Sequence, residues 1–98
     1  MNALSPKRLK NPPTAHALKT LPAYFADVWH RVKTFEIRKD DRGFRVGDDL
    51  RLQEWDGTRY TGRSISARVT YKIDDPEYCK EGYCVLGIVV QRMCDDGV

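Results

Sequence analysis

The chain has 98 residues, of which 41% are hydrophobic and 32% are charged, and its formal net charge is +3 at pH 7. A chain of this length supports one domain with a small core, and its apolar runs are too short to cross a bilayer or to form a signal peptide. The slight positive charge permits nucleic acid as a partner without requiring it, and we expect a cytoplasmic monomer that does not associate with membranes.

The first 14 residues contain three prolines among polar and basic residues. This composition cannot bury enough apolar surface to order itself, and it predicts a flexible basic tail. The tail is interpreted either as an unstructured leader or as an electrostatic arm that attracts phosphates. We expect the folded domain to cover 15–94 and a short C-terminal tail to cover 95–98.

A short strand is predicted at 16–19, followed by one helix that Thr20 and Pro22 open and that runs to Arg31. Proline suits the first helical turn because its missing N–H would have no partner there. Apolar residues then recur at three-and-four spacing, which predicts an amphipathic helix that covers a sheet. They are Tyr24, Phe25, Val28, Trp29 and Val32.

The segment 33–48 has the pattern most typical of a binding site. It starts as a strand whose alternation separates an apolar face from a polar face. The apolar face carries Phe35 and Ile37, and the polar face carries Thr34, Glu36 and Arg38. More charged residues follow, namely Lys39, Asp40, Asp41, Arg42 and Arg45. We interpret the charged, outward face as the rim of a cleft, and we expect Phe44 and Val46 to return to the interior between two turn glycines.

Three more strands are predicted after this segment. The strand at 49–55 points Leu50 and Leu52 inward and ends at the hairpin turn Asp56–Gly57. The strand at 64–73 alternates strictly, and the strand at 83–93 is apolar on both faces, as in a strand buried on two sides or closing a barrel. Five short strands and one helix predict an α+β, mostly β fold, a small closed or nearly closed barrel without exposed edges.

Three segments of the chain resemble the signature of a known family. They are 28–32, 33–38 and 44–50. The signature is similar to that of the ASCH domains, which are small barrels of the PUA-like superfamily, and the chain is most similar to an uncharacterised bacterial and phage subfamily. The resemblance extends from about His16 to Met93. It implies RNA or nucleotide binding, with Lys33, Glu36 and Arg38 lining a cleft between the helix and the barrel.

The chemistry of these three side chains suits a nucleotide. Arg38 offers a planar fork of donors for a phosphate or a purine edge, Lys33 offers a point charge, and Glu36 accepts from an exocyclic amine. The alternatives are a same-face ion pair between Glu36 and Arg38 and an ordinary exposed lysine at 33. Further ligand contacts are expected from Lys39, Arg42, Arg45, Trp55 and Tyr60. Aromatic residues that could stack on an unpaired base also include Tyr24, Trp29 and Phe44, although these three are more typical of a core.

Two other functions stay open at this point. An ASCH-like branch resembles an amidohydrolase that uses a lysine and a threonine three residues later, but Glu36 stands at the threonine position and cannot replace its hydroxyl in acyl transfer. A ribonuclease-like branch would use Lys33 with Tyr60 or Ser64. The remaining hypothesis is an accessory protein that binds another protein through this surface.

No metal or cofactor is expected from the sequence. The histidines and cysteines lack the spacing of a zinc site. They are His16, His30, Cys79, Cys84 and Cys94. The three cysteines favour reduced thiols, although a disulfide between Cys79 and Cys84 stays open. The adjacent carboxylates at 40–41 and 48–49 are interpreted as turn-forming residues and caps rather than magnesium ligands.

Overall fold

A computed structural model describes residues 13–96. Most of the predicted flexible tail, and the last two residues of the chain, lie outside the described residues. The described part contains five strands and one helix. They are β1 (Ala15–Thr20), α1 (Pro22–Trp29), β2 (Phe35–Lys39), β3 (Asp49–Trp55), β4 (Tyr60–Ile73) and β5 (Tyr83–Asp95). No helix in this part is both long and apolar enough to span a membrane.

The five strands form one sheet in the order β1-β3-β4-β5-β2. Strands β3, β4 and β5 form an antiparallel meander, β1 lies parallel to β3, and β2 lies antiparallel to β5. The mostly β architecture with one helix is therefore confirmed. The sheet curls into a half-barrel, and no backbone ladder joins β1 to β2 among residues 13–96, so the predicted closure is incomplete.

Arginine side chains bridge the seam between the two edge strands. Arg38 of β2 donates from Nη1 to the carbonyl oxygen of Lys19 at 3.1 Å, and Arg42 donates from Nη1 to that of Ala17 at 2.7 Å. These two carbonyls belong to the edge strand β1, where an unsatisfied backbone acceptor would be costly if water were excluded. Guanidinium groups therefore take the place of a missing strand ladder.

The core lies between the inner face of the sheet and one side of α1. Phe25 and Val28 are the two fully buried residues of the helix, and Trp29 packs against the cluster. The inner faces of the strands supply Leu18, Leu50, Leu52, Ile65, Ala67, Val69, Cys84, Leu86 and Ile88. Each large apolar side chain buried in this way contributes about 1.5–3 kcal/mol relative to exposure.

The helix is shorter than the sequence pattern predicts. It ends at Trp29 rather than Arg31, and Leu21 rather than Thr20 precedes its first residue, Pro22. Two turns present only a narrow apolar stripe, so Tyr24 is 56% exposed and Val32, beyond the helix end, is 77% exposed. The expectation that these two side chains belong to the buried face is wrong.

Strand β5 is buried on one face only, so burial on two sides, one of the two interpretations of its apolar pattern, is wrong. Cys84, Leu86 and Ile88 point into the core, whereas Val89 is exposed. A bulge between Val69 and Tyr71 in the neighbouring strand adds a residue to β4. Because a one-residue shift moves later side chains to the opposite face, the apolar alternation of β4 continues on the outside after the bulge.

Two more sequence expectations concern the loop between β2 and β3. Phe44 is buried, as predicted, but Val46 is exposed rather than interior. Asp40 and Asp48 act as turn-forming residues, because Asp40 accepts from the Phe44 amide and Asp48 accepts from the Arg45 amide. The loop therefore depends on carboxylate-to-backbone hydrogen bonds rather than on a second apolar anchor.

The buried Asp48 also anchors the start of β1. Its carboxylate accepts from the Thr14 amide at 3.0 Å and from Nε2 of His16 at 2.9 Å. Burial acts to raise the pKa of Asp48, but the hydrogen bonds from Thr14, His16 and Arg45 together hold it below its ordinary value. The ionised carboxylate thus fixes the edge strand β1 to the loop 40–48.

Candidate functional site

A cleft of about 700 Å³ opens beside the seam, between the start of α1, the turn that follows the helix and the edge strand β2. This volume lies within the range of pockets that hold small organic ligands. Its lining combines charged groups with large apolar side chains. The lining residues are Lys19, Thr20, Leu21, Tyr24, Asp27, Val32, Lys33, Phe35, Glu36, Ile37 and Arg38.

Strand β2 presents its charged face inward. Glu36 is only 3% exposed, whereas Phe35 and Ile37 of the opposite face are 41% and 59% exposed. The expectation that Glu36 points outward is therefore wrong. The physical reason is the seam, because β2 covers the polar edge of β1 and its charged residues find hydrogen-bonding partners there that Phe35 and Ile37 could not use.

Glu36 is the centre of an ion-paired cluster at the floor of the cleft. Its Oε2 accepts from Lys33 Nζ at 2.6 Å and its Oε1 accepts from Arg38 Nε at 3.0 Å. Both oxygens are thus engaged by cations, as a buried carboxylate requires. The three residues predicted to line the cleft are brought together, and the ion pair left open as an alternative is present as well.

The guanidinium of Arg38 is turned toward the protein rather than toward the cleft opening. Besides Glu36, it donates to the Lys19 carbonyl and from Nη2 to Oγ1 of Thr20 at 3.1 Å. These contacts, together with a second one from Nη2 to Glu36 at 2.9 Å, engage most of its five N–H donors. Arg38 therefore serves mainly to join β2, β1 and the floor of the cleft.

Lys33 differs from Arg38, because one N–H donor of its ammonium group is left for a ligand. Two of its three N–H donors go to Glu36 and to the Phe35 carbonyl at 2.6 Å. Its Nζ lies 5.1 Å from the centre of the Phe35 ring and 5.8 Å from that of Tyr24, within cation–π distance of both. The third donor can meet an acceptor held between these rings.

The turn after α1 places Lys33 in the cleft. Arg31 adopts a left-handed φ of 61°, and the amides of Val32 and Lys33 both donate to the Asp27 carbonyl at 2.8 and 2.9 Å. This arrangement ends the helix as a glycine usually does, at the cost of strain in a residue with a Cβ. The sharp turn brings Lys33 back beside Tyr24.

Five exposed apolar side chains surround the charged floor. They are Leu21, Tyr24, Val32, Phe35 and Ile37, and each is more than 40% exposed. Of these, sequence reasoning selected only Tyr24 as a contact for a ligand. The missed signal was the alternation of β2, because turning its charged residues toward the seam necessarily exposes Phe35 and Ile37.

The other predicted site residues lie outside the cleft. Lys39 is at the exposed end of β2, Arg42 bridges the seam, and Arg45 lies with Nη2 3.8 Å from Oδ1 of Asp48. None of the three lines the cleft. The basic turn therefore does not merge with Lys33 into one continuous binding surface.

Trp55 and Tyr60 pack against each other rather than against the cleft. Their ring centres are 4.9 Å apart in an edge-to-face arrangement, and Lys19 Nζ lies 4.2 Å from the centre of the Trp55 ring. Lys19 itself lines the cleft, so the aromatic pair borders the site through this lysine. Ser64, considered with Tyr60 for ribonuclease chemistry, is buried in β4 and does not line the cleft.

A second buried ion pair, which sequence reasoning did not identify, supports the helix beneath the cleft. Glu54 is buried and accepts from Nε of Arg63 at 2.9 Å and from Nη2 at 3.1 Å, while Arg63 lies over the Trp29 ring. The hydrogen bonds from Arg63 lower the pKa of Glu54, against the opposing effect of burial. This pair is structural, because neither residue lines the cleft.

Metal-binding and redox groups do not assemble into a site in the described part of the chain. Residues 13–96 contain no group of three or more His, Cys, Asp or Glu side chains placed to hold a metal ion. All three cysteines are free thiols, and burial raises the pKa of the Cys84 thiol. The chemical groups of the cleft are therefore cations, the two carboxylates of Asp27 and Glu36, and aromatic rings.

Comparison with known proteins relates most of the described chain to one family. The family model described as Domain of unknown function (DUF3850) matches residues 15–88, which include every strand except the end of β5. A curated relative is 36% identical over 66 residues, the "Uncharacterized 12.9 kDa protein in GpA 3'region" of Escherichia phage P2. The match covers 67% of this chain and 61% of the phage protein, so the chain spans less than two thirds of that relative.

Proposed function

We propose that this chain, which belongs to the DUF3850 family of domains of unknown function, is a cytoplasmic RNA- or nucleotide-binding module. In this proposal the fold is an ASCH domain of the PUA-like superfamily. The cleft beside the seam holds one unpaired base together with its phosphate. The half-barrel with a single helix and the clustering of Lys33, Glu36 and Arg38 support this assignment.

The observation that carries the proposal is the position of Lys33. Its ammonium group lies 5.8 Å from the centre of the Tyr24 ring, 5.1 Å from that of Phe35 and 2.6 Å from Oε2 of Glu36, a carboxylate whose two oxygens are already engaged. A planar base can stack on an exposed aromatic ring, and a phosphate oxygen can accept the remaining lysine hydrogen. A cleft of about 700 Å³ accommodates a ligand of that size.

The structure changes the roles that the sequence suggested for the other two charged residues. Because Arg38 and Glu36 are engaged with each other and with β1, they hold the floor rather than read the edge of a base. Contact with the ligand then falls to Lys33, Lys19 and the aromatic walls. This arrangement favours recognition by stacking and charge over recognition of one particular base.

A titration with nucleoside monophosphates and short single-stranded RNAs tests the proposal. Replacing Tyr24 by Ala should weaken binding about 5- to 150-fold, since base stacking contributes ~1–3 kcal/mol. Tyr71→Ala is the matched control, because Tyr71 is similarly exposed but lies outside the cleft. Lys33→Met should reduce the slope of the logarithm of the binding constant against the logarithm of salt concentration by about one. The proposal would be overturned if neither nucleoside monophosphates nor single-stranded RNAs bound, or if the two tyrosine variants lost the same amount of affinity.

A hydrolase that uses the same cleft has less support. The carboxylate at position 36 is buried between two cations, and the Tyr60 and Ser64 side chains do not line the cleft near Lys33. The residues that the sequence suggested for hydrolysis therefore do not meet beside Lys33. Incubation of the protein with acetylated nucleosides and with single-stranded RNA should yield no product.

A further inference from the structure

The outer face of strands β2, β5 and β4 carries two apolar rows that cross the sheet. Directly paired residues of neighbouring strands point to the same face, so the backbone register identifies each row. The rows are Phe35–Gly87–Tyr71 and Ile37–Val85–Ile73. Val89, two residues beyond Gly87 on β5, continues the apolar surface. We call these seven residues the outer apolar face.

This face is unusually apolar for a solvent-exposed side of a sheet. Its five large, exposed side chains, those of Phe35, Ile37, Tyr71, Ile73 and Val89, are between 38% and 64% exposed. At ~200 Å² for a fully exposed large side chain, they present roughly 500 Å² of surface. Patches of that size on small proteins commonly mark interaction sites. The face also explains why β5 is apolar on both sides although only one side is buried.

Opposite charges flank the two ends of the outer apolar face. At one end, the loop 74–82 contributes four carboxylates, from Asp74, Asp75, Glu77 and Glu81, against the cations of Lys39 and Lys80. Lys72 pairs there with Asp74 and with Asp40, so that five carboxylates stand against three cations. At the other end, the outward rows carry Arg51, Arg68 and Arg92 against the single carboxylate of Asp49. One end of the face is therefore acidic and the other is basic.

We propose that the outer apolar face binds a second copy of this chain across a two-fold axis. An isologous interface requires a surface that is complementary to itself after a rotation of 180°. Here the acidic end of one copy would meet the basic end of the other, while the apolar rows pack on each other. Phe35 and Ile37 belong to this face and also line the cleft, whereas the ion-paired floor lies on the other side of β2. The dimer needs no bound nucleotide, so its failure and the failure of nucleotide binding are distinguishable.

The register places the axis near Gly87. Tyr83, at the acidic end of β5, lies four residues before Gly87, and Arg92, at the basic end, lies five residues after it, with one of those five in a bulge. The two charged ends are thus at about equal distances from Gly87, at ~3.3 Å per residue. A rotation about this point brings Val89 of one copy over Val85 of the other.

The size of the face predicts a reversible dimer rather than a permanent one. Stable protein interfaces bury ~800 Å² on each partner, and the apolar area here is below that value before its charged ends are counted. We therefore expect dissociation constants of ~10 µM to ~1 mM. Sedimentation equilibrium of the full chain across that concentration range should show a monomer–dimer equilibrium.

Two matched variants locate the interface on this face. Tyr71→Glu should raise the dissociation constant at least about tenfold, because it places a charge in the apolar row that crosses Gly87. Tyr60→Glu should leave the constant unchanged, since Tyr60 is also about half exposed but lies at the β3–β4 hairpin, outside both this face and the cleft. A chain that stays monomeric at ~1 mM, or equal effects of the two variants, would overturn the proposal.

Charge reversal tests the two-fold geometry and does not depend on the folding of Tyr71→Glu. Glu77→Lys and Arg92→Glu should each weaken the dimer, because each places like charges at both ends of the interface. The double variant should recover most of the lost affinity, because it restores one acidic and one basic end. Single variants without effect, or a double variant weaker than both, would exclude the proposed dimer.

Discussion

Replacing Arg38 by Met tests whether arginine side chains hold the half-barrel together at its open seam. The guanidinium of Arg38 connects three groups that have no common backbone ladder. They are the Glu36 carboxylate, the Lys19 carbonyl and the Thr20 hydroxyl. Methionine retains much of the apolar stem but removes every donor. The variant should therefore loosen β1 from β2 without opening a large cavity in the core.

The size of the effect follows from the contacts that are lost. Glu36 keeps Lys33 as a partner, so its carboxylate is not left wholly unpaired, which would cost ~3–5 kcal/mol in a buried site. What is lost is a charge-assisted hydrogen bond to a buried acceptor, worth ~1.5–3 kcal/mol. Because the Arg38 side chain is 22% exposed, water screens part of it. We expect a loss of about 2 kcal/mol, or ~8–16 °C in Tm for a domain of this size.

Thermal and urea unfolding followed by circular dichroism at low protein concentration measure this effect. Arg42→Met should cost less, because Arg42 bridges the seam through one exposed carbonyl contact. Arg59→Met, in the β3–β4 turn, should stay within ~0.5 kcal/mol of the parent. Arg38→Lys should recover only part of the loss, since a single ammonium cannot span all three partners. If Arg38→Met were no more destabilising than Arg59→Met, the seam would not depend on this side chain.

Three further predictions concern the charged groups and the strained turn. Because the folded state lowers the pKa of Asp48 below its ordinary value of 3.8, ionised Asp48 stabilises the fold at pH values above 3.8, and this stabilisation is lost as the pH falls through the lowered pKa. The difference in free energy of unfolding between the parent and Asp48→Asn, measured in urea, should therefore shrink below about pH 4. Arg63→Met should cost ~2–3 kcal/mol, because Glu54 would stay buried without its cation, and Glu54→Gln in the same chain should recover part of that loss. Arg31→Gly should raise Tm, since glycine removes strain of ~1 kcal/mol at a φ of 61°; an unchanged or lower Tm would show that the turn is not strained.

The mostly β class and the order of the elements could be predicted from the sequence because they depend on local periodicity. Strict alternation from Ile65 to Val69 and the Asp56–Gly57 turn define β4 and its hairpin before any contact is known. Alternation also separates the charged from the apolar face of β2. It does not say which face is buried, and the usual assumption that apolar residues point inward fails at this strand.

The ends of the helix and the second half of β4 depended on information that the sequence pattern does not contain. One extra residue at the bulge after Val69 moves Tyr71 and Ile73 to the outside. No local propensity marks that bulge, because it results from the fit between two neighbouring strands. Likewise, Val32 continues the spacing of α1 but lies beyond the turn at Arg31 and is exposed.

The sequence by itself determined which residues of the candidate site are neighbours. Lys33, Glu36 and Arg38 lie on one short segment, so their association needs little more than an extended backbone and opposite charges. Only the tertiary structure decided that this cluster is turned inward. Strand β2 is an edge strand that lies across a seam from β1, and the unpaired carbonyls of β1 need donors that apolar side chains cannot provide. The need to satisfy polar groups at an incomplete sheet closure therefore set the orientation of the site.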